Sequence, residues 1–120
     1  MGESLIKIYD LEERTFKFAA AISDYIKLLT KSLSNAEYSK QLIRSSSSIG
    51  ANYIEANEAL GKKDFKMRIK ISRKEAKESA YWIRLLNETN NEEFFGKGKE
   101  LYKEAIELKK ILSSILLKSK

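Results

Sequence analysis

Five cations in one stretch of this chain are spaced so that a helix would set them in a single row. At about 100° per residue, Lys66, Lys70, Arg73, Lys77 and Arg84 fall within roughly 60° of one another. Lys62 and Lys63, just before them, extend the same arc if the helical turn continues. Only Glu88 brings a carboxylate into it. From Lys66 to Arg84 the row would run about 27 Å. Ammonium and guanidinium groups in such a row can follow a nucleic-acid backbone, with an affinity that falls steeply with salt. Lysine-rich outer faces also serve solubility. Solvated helices, however, commonly mix both signs through i,i+4 pairs, and here the acids are missing. Aromatic residues do not interleave with the row, apart from Tyr81 at its margin. Contact with phosphates, rather than reading of bases, is the chemistry implied.

A second set of polar residues lies on other faces. Gln41, Arg44, Ser48, Asn52 and Glu55 are three or four apart and share one face of the preceding helical stretch. Arg68, Ser72, Glu75 and Glu78 lie opposite the cationic row, among Ile71, Trp82 and Leu86. Charges buried without partners are costly. Arg44, Asn52, Glu55, Arg68, Glu75 and Glu78 are therefore expected to pair inside the fold or to meet another subunit. Plain solvent exposure is the alternative for the Arg44–Glu55 face.

The inventory excludes most small catalytic sites. The chain has no histidine and no cysteine, so Ser-His and Cys-His pairs and the usual zinc sites cannot form. The Glu-x-x-His pairs of a di-iron helical bundle are excluded for the same reason. Gly96-Lys97-Gly98-Lys99 lacks the spacing, the Ser/Thr after lysine and the preceding strand of a phosphate-binding loop. No enzymatic activity, cofactor or metal is expected.

These residues must be positioned by helices. There is no proline or valine, and apolar residues make up 42% against 33% charged, which suits a globular all-α chain. Leu11, Thr15, Phe18, Ile22, Tyr25 and Leu29 recur at three- and four-residue spacing, with Asp10 as the capping residue. Tyr38, Leu42, Ile49, Tyr53, Ala56 and Leu60 form a second stripe, opened by Ser34 or Asn35 and stopped by Gly61. A third, capped by Asp64, carries Phe65, Ile69, Ala76, Ala80 and Ile83. Phe65, Met67, Ile69 and Ile71 alternate as a strand would, but the helical pattern runs on to Leu86, too far for one strand. Leu101, Ala105, Leu108, Leu112 and Ile115 make the fourth, with Gly96 and Gly98 weakening its first turns. The expected helices span 10–33, 35–60, 64–87 and 91–118, in one domain over 1–120. Short links favour an antiparallel up-down four-helix bundle.

Net charge is +6, and its distribution is uneven. Residues 62–90 hold 9 basic and 4 acidic side chains, whereas 35–61 hold 2 and 3. That asymmetry points to a polyanionic partner. The absence of cysteine suits a reducing cytoplasm. The start of the chain has no signal-peptide pattern, and no apolar run nears the roughly 20 residues that span a bilayer.

Several segments together resemble a known family. They are Asp10-Leu11, Arg14-Thr15, Phe18-Ala19, Gln41-Leu42-Ile43-Arg44-Ser45 and Ser48-Ile49-Gly50-Ala51-Asn52-Tyr53-Ile54-Glu55-Ala56. Asp64-Phe65, Lys74-Glu75-Ala76, Glu78 and Tyr81-Trp82-Ile83-Arg84-Leu85-Leu86 continue the pattern. From Asp10 to Leu86 the chain resembles the four-helix-bundle proteins encoded by intervening sequences in bacterial 23S rRNA genes; the fourth helix matches only in character. The resemblance implies an antiparallel bundle that assembles into a homo-oligomeric ring, typically a pentamer, with no enzymatic activity. More distantly, the chain is similar to the accessory variability determinants of diversity-generating retroelements, basic pentamers that bind nucleic acid and a reverse transcriptase. The expected partners are thus further copies of the chain, RNA or DNA, and a nucleic-acid enzyme, with no membrane. A structural adaptor for another protein, with no nucleic-acid role, is the alternative.

Overall fold

The computed structural model describes residues 2–90 and 95–119, with side chains over 11–90 and 96–119. Its elements are four α-helices: α1 (Gly2–Leu28), α2 (Leu33–Asn57), α3 (Lys62–Thr89) and α4 (Phe95–Lys118). No strand occurs among the described residues. The short α1–α2 and α2–α3 links turn successive helices back on themselves, and α3 packs closely against both α2 and α4. α1 closes the bundle more lightly against α2 and α4. The fold is the all-α up-down four-helix bundle that the periodicity predicts.

The boundaries moved for local reasons. Nothing between Glu3 and Tyr9 breaks a helix, so α1 begins at Gly2 and Asp10 lies within it rather than capping it. α2 is capped by Ser32, whose hydroxyl accepts from the Asn35 amide at 3.1 Å, two to three residues before the expected position. α2 stops at Asn57 rather than reaching Gly61. Gly61 instead begins α3 with no side-chain cap, which puts Asp64 in the first turn, where its charge suits the helix dipole. Leu60, assigned to the α2 stripe, consequently sits in the link and is fully exposed. The expected start of α4 at 91 lies outside the described residues.

The predicted stripes otherwise meet in one core. Phe18, Ile22 and Tyr25, then Leu42 and Ile49, then Ile69, Ala76, Ile83 and Leu86, then Leu101, Ala105, Leu108 and Leu112 are all buried. Small residues set how closely the helices approach. Ser45, Ser46 and Gly50 of α2 face Ser72, Ala76 and Ser79 of α3 or Thr15 of α1, and all are buried. Their hydroxyls stay inside because each finds a partner. Ser72 donates to the Ile49 carbonyl at 2.7 Å, Ser79 donates to Ser45 Oγ at 2.9 Å, and Thr15 donates to the Glu12 carbonyl at 3.0 Å. Among the described residues no buried side-chain polar atom is left unpartnered.

Polar contacts tie the remaining helices together. Arg14 grips Glu104 through Nε and Nη2, at 2.6 and 2.8 Å, and joins α1 to α4. At one end of the bundle Asn35 and Asn90 exchange amide hydrogen bonds of 2.7 and 2.8 Å, and Asn35 also donates to the Thr30 carbonyl. Near them the Tyr25 hydroxyl donates to Asn87 Oδ1 at 2.9 Å. Burial pushes that phenol's pKa up, so it remains a donor.

α4 crosses Asn87 with a glycine for a steric reason. A Cβ at Gly98 would overlap the Asn87 amide, whereas one at Gly96 would meet nothing within 4 Å. The two glycines should therefore respond in opposite ways to the same substitution. Gly98→Ala dislodges the amide from the buried Tyr25 hydroxyl and is expected to cost about 1–3 kcal/mol. Gly96→Ala gains up to about 1 kcal/mol of helix propensity. Urea midpoints of the two variants should move in opposite directions; a shared direction would mean that Asn87 yields freely.

Candidate nucleic-acid interface

The rotation of α3 about its own axis decides where its cations point. Ser72 and Ser79 are fixed against α2 by their hydrogen bonds to Ile49 and Ser45. On the helical wheel, Lys66, Arg73 and Arg84 lie roughly 100–140° from those serines. The cationic row therefore runs along the flank of α3 that meets α4. It does not crown the face directly away from the buried Ile83. Lys66 and Arg73 are half-buried there, with their stems against the bundle, while Lys62, Lys63, Lys70, Lys77 and Arg84 are exposed. All seven share one side of α3, with Lys62 and Lys63 in its first turn.

Two hollows lie along this row. At the start of α3, Lys63, Lys66 and Lys70 surround a mostly apolar depression with Gly61, Asp64 and Met67. At the other end an open cleft between α3 and α4 is lined by Arg84, Asn87, Glu88, Lys99 and Tyr102. Lys99 and Tyr102 were not among the sequence-predicted residues. Their relation to Arg84 needed the α3–α4 docking, which no local pattern announces.

Part of the second predicted set meets along the α2–α3 seam. Arg68 Nη1 donates to Asn52 Oδ1 at 3.2 Å, and Asn52 Nδ2 donates back to the Ser48 carbonyl at 2.9 Å. Glu75 is half-buried; Arg44, Glu55 and Glu78 are exposed. Burial raises the Glu75 pKa and neighbouring Glu78 adds to the rise, against the pull of Lys74 and of Arg44 across the seam. Aromatic rings continue the same side. Tyr38 stacks on Trp82 with centroids 6.1 Å apart, and Tyr81 meets Trp82 edge-on at 5.1 Å. None of the six predicted residues is fully buried, so they border the seam rather than form an internal network. Among the described residues no helix is long and apolar enough to cross a membrane.

Comparisons with known proteins agree with this architecture. The model of the 23S rRNA-intervening sequence protein family matches residues 8–114. The chain is also similar to the crystal structure of a protein of unknown function from the S23 ribosomal protein family of Bacteroides thetaiotaomicron. The two are 32% identical with a TM-score of 0.75, over 88% of this chain and 97% of the other. No curated protein matches significantly.

Glu75 supplies a pH test of the seam. Its folded pKa lies above the ordinary value, so the native state holds this proton more tightly than the unfolded chain does. Stability from this group is therefore present at low pH and lost as pH rises through the carboxylate range toward the raised pKa. Glu75→Gln should melt above wild type at pH 7 and alongside it near pH 4. A variant that melts below wild type at pH 7 would mean that attraction to Arg44 outweighs the desolvation.

Proposed function

The chain belongs to the 23S rRNA-intervening sequence protein family, and from that premise we propose that it is a non-catalytic cytoplasmic scaffold that assembles with copies of itself, as a pentamer, and binds the backbone of RNA or DNA. Its role is accessory to a nucleic-acid process, beside an enzyme that acts on the same polymer. The observation that carries this reading is the one-sided charge of α3. Lys62, Lys63, Lys66, Lys70, Arg73, Lys77 and Arg84 share one flank, against which only Asp64 at its start and Glu88 at its end bring carboxylates, while Glu75 and Glu78 turn toward α2. Assembly strengthens the effect, because copies of a +6 chain sum their fields and draw a polyanion from a distance. The name of the family ties it to rRNA genes, which is consistent with an RNA context but does not specify one.

A second reading is a protein adaptor, and one feature favours it. Phe16 and Ile43 are exposed beside a groove between α1 and α2 lined by Ala19, Ala20, Ser23, Ser46 and Ser47.

Titrating generic RNA and duplex DNA across a salt series separates the two. Wild type should bind at low salt and lose affinity steeply. Replacing Lys66, Lys70, Arg73 and Lys77 by Gln should flatten the log–log salt slope by about 3. Equal binding by both proteins, or none by wild type, leaves the adaptor reading. Light scattering on the same samples should give five times 13.8 kDa, about 69 kDa.

A further inference from the structure

The positive charge does not stop at α3. On α4, Glu100, Glu104 and Glu107 fall on the flank that faces α1, where Glu104 meets Arg14. Lys99, Lys103, Lys109 and Lys110 fall on the outer face and on the flank toward α3, and no acid among the described residues shares that half of the helix. α3 is sorted in the mirror sense. Glu75 and Glu78 lie toward α2, as does Arg68, which meets Asn52, whereas Lys66, Lys70, Arg73, Lys77 and Arg84 lie toward α4, with Glu88 in their arc. The groove between the two helices thus has cations along both edges. Lys66, Lys70, Arg73, Lys77 and Arg84 line the α3 side; on α4, Lys109 lies on the flank toward α3, while Lys99, Lys110 and Lys103 stand along the outer rim. The ion pairs of the described residues, Arg14–Glu104, Lys17–Glu13 and Lys27–Asp24, all involve α1. Lys103, Lys109, Lys110 and the five cations of the α3 side take part in none of them.

We propose that the α3–α4 groove is a channel for one single strand of RNA or DNA, with phosphates held between the two cationic rows and a base seated against Tyr102 at the Arg84 end. This rests on the nucleic-acid reading above and narrows it. α3 and α4 are packed in contact, so the groove is a surface furrow along which a single backbone can lie with cations on both sides. A duplex keeps its bases paired and stacked and cannot offer one to Tyr102. The cleft at the Arg84 end supplies what the α3 row lacks, a half-buried aromatic ring beside cations. A base can stack on Tyr102, as single-strand binders use aromatic side chains. Glu88, the one carboxylate in the α3 arc, lines this same cleft. Its charge repels a phosphate there and suits the amino edge of a base.

Fluorescence anisotropy tests this with labelled oligo(U) and oligo(dT) of about 20 nucleotides and with RNA and DNA duplexes of equal length. Wild type should bind a single strand more tightly than either duplex; the tighter of oligo(U) and oligo(dT) names the ligand. A Lys103→Gln, Lys109→Gln, Lys110→Gln variant changes only α4. It should bind single strands at least about tenfold more weakly at about 50 mM salt, with its log–log slope reduced by about 2. Tyr102→Leu keeps an apolar body in the groove. It should weaken single-strand binding by roughly fivefold to a hundredfold with the slope unchanged, as loss of stacking requires. Circular dichroism and melting should show both variants folded. If the α4 variant binds as wild type while the Lys66, Lys70, Arg73 and Lys77 variant fails, the strand lies outside the groove. The channel is then wrong and the broader function stands. A preference for duplex also overturns the channel, and failure of wild type to bind any nucleic acid removes both.

Discussion

The close approach of α2 to α3 governs the rest of this molecule. Ser45, Ser46 and Gly50 on one helix and Ser72, Ala76 and Ser79 on the other leave little side-chain bulk between the backbones. The Ser72 hydroxyl reaches the Ile49 carbonyl itself, and Ser79 finds Ser45. An apolar seam of larger residues would also bury surface, but it would tolerate a slide or a rotation of one helix. Directional bonds between buried hydroxyls do not, because any shift leaves a donor without its acceptor in a dry interior. The seam therefore acts as a register lock as well as a contact.

Locking α3 in rotation has an electrostatic consequence. With its serines against α2, the row from Lys66 to Arg84 must border α4, while Arg68, Glu75 and Glu78 stay on the side of α2. α4 is oriented in turn by its leucines in the core and by Glu104 on Arg14, which sends Lys109 toward α3 and Lys99, Lys103 and Lys110 to the outside. Residues 62–120 hold 16 of the 23 basic and 9 of the 17 acidic side chains, a net +7, so residues 1–61 sum to −1. The excess of positive charge thus belongs to the half of the chain that forms α3 and α4.

α1 is held differently. It meets α2 and α4 more than α3, and among the described residues its polar links to other helices include the Arg14–Glu104 fork, Glu12 with Asn57, and Tyr25 with Asn87. The carboxylate fork is about 30% exposed, so it adds orientation more than stability. The tight part of the bundle is thus α2, α3 and α4. The exposed Phe16 belongs to the more lightly packed helix.

Much of this was legible in the residue order. Apolar positions three and four apart, with no proline to interrupt them, dictate helices and their buried stripes, because burial of one face is the only way such a pattern leaves water. Lys66 to Arg84 already share an arc on any helix, and histidine-free, cysteine-free chemistry is a matter of inventory. Helix ends were less legible. Ser32 and Ser34 are equally good caps in isolation, and the choice fell to Ser32 because Asn35 is needed for its amide exchange with Asn90 on α3. The direction in which the arc faces was not legible at all. A wheel relates residues of one helix to each other, but it has no information on which neighbour stands on which flank. That relation came from hydroxyls 23 and 34 residues away from their partners. Only the docking of α3 between α2 and α4 set that row on the flank that meets α4, and brought Tyr102 and Lys99 to its end.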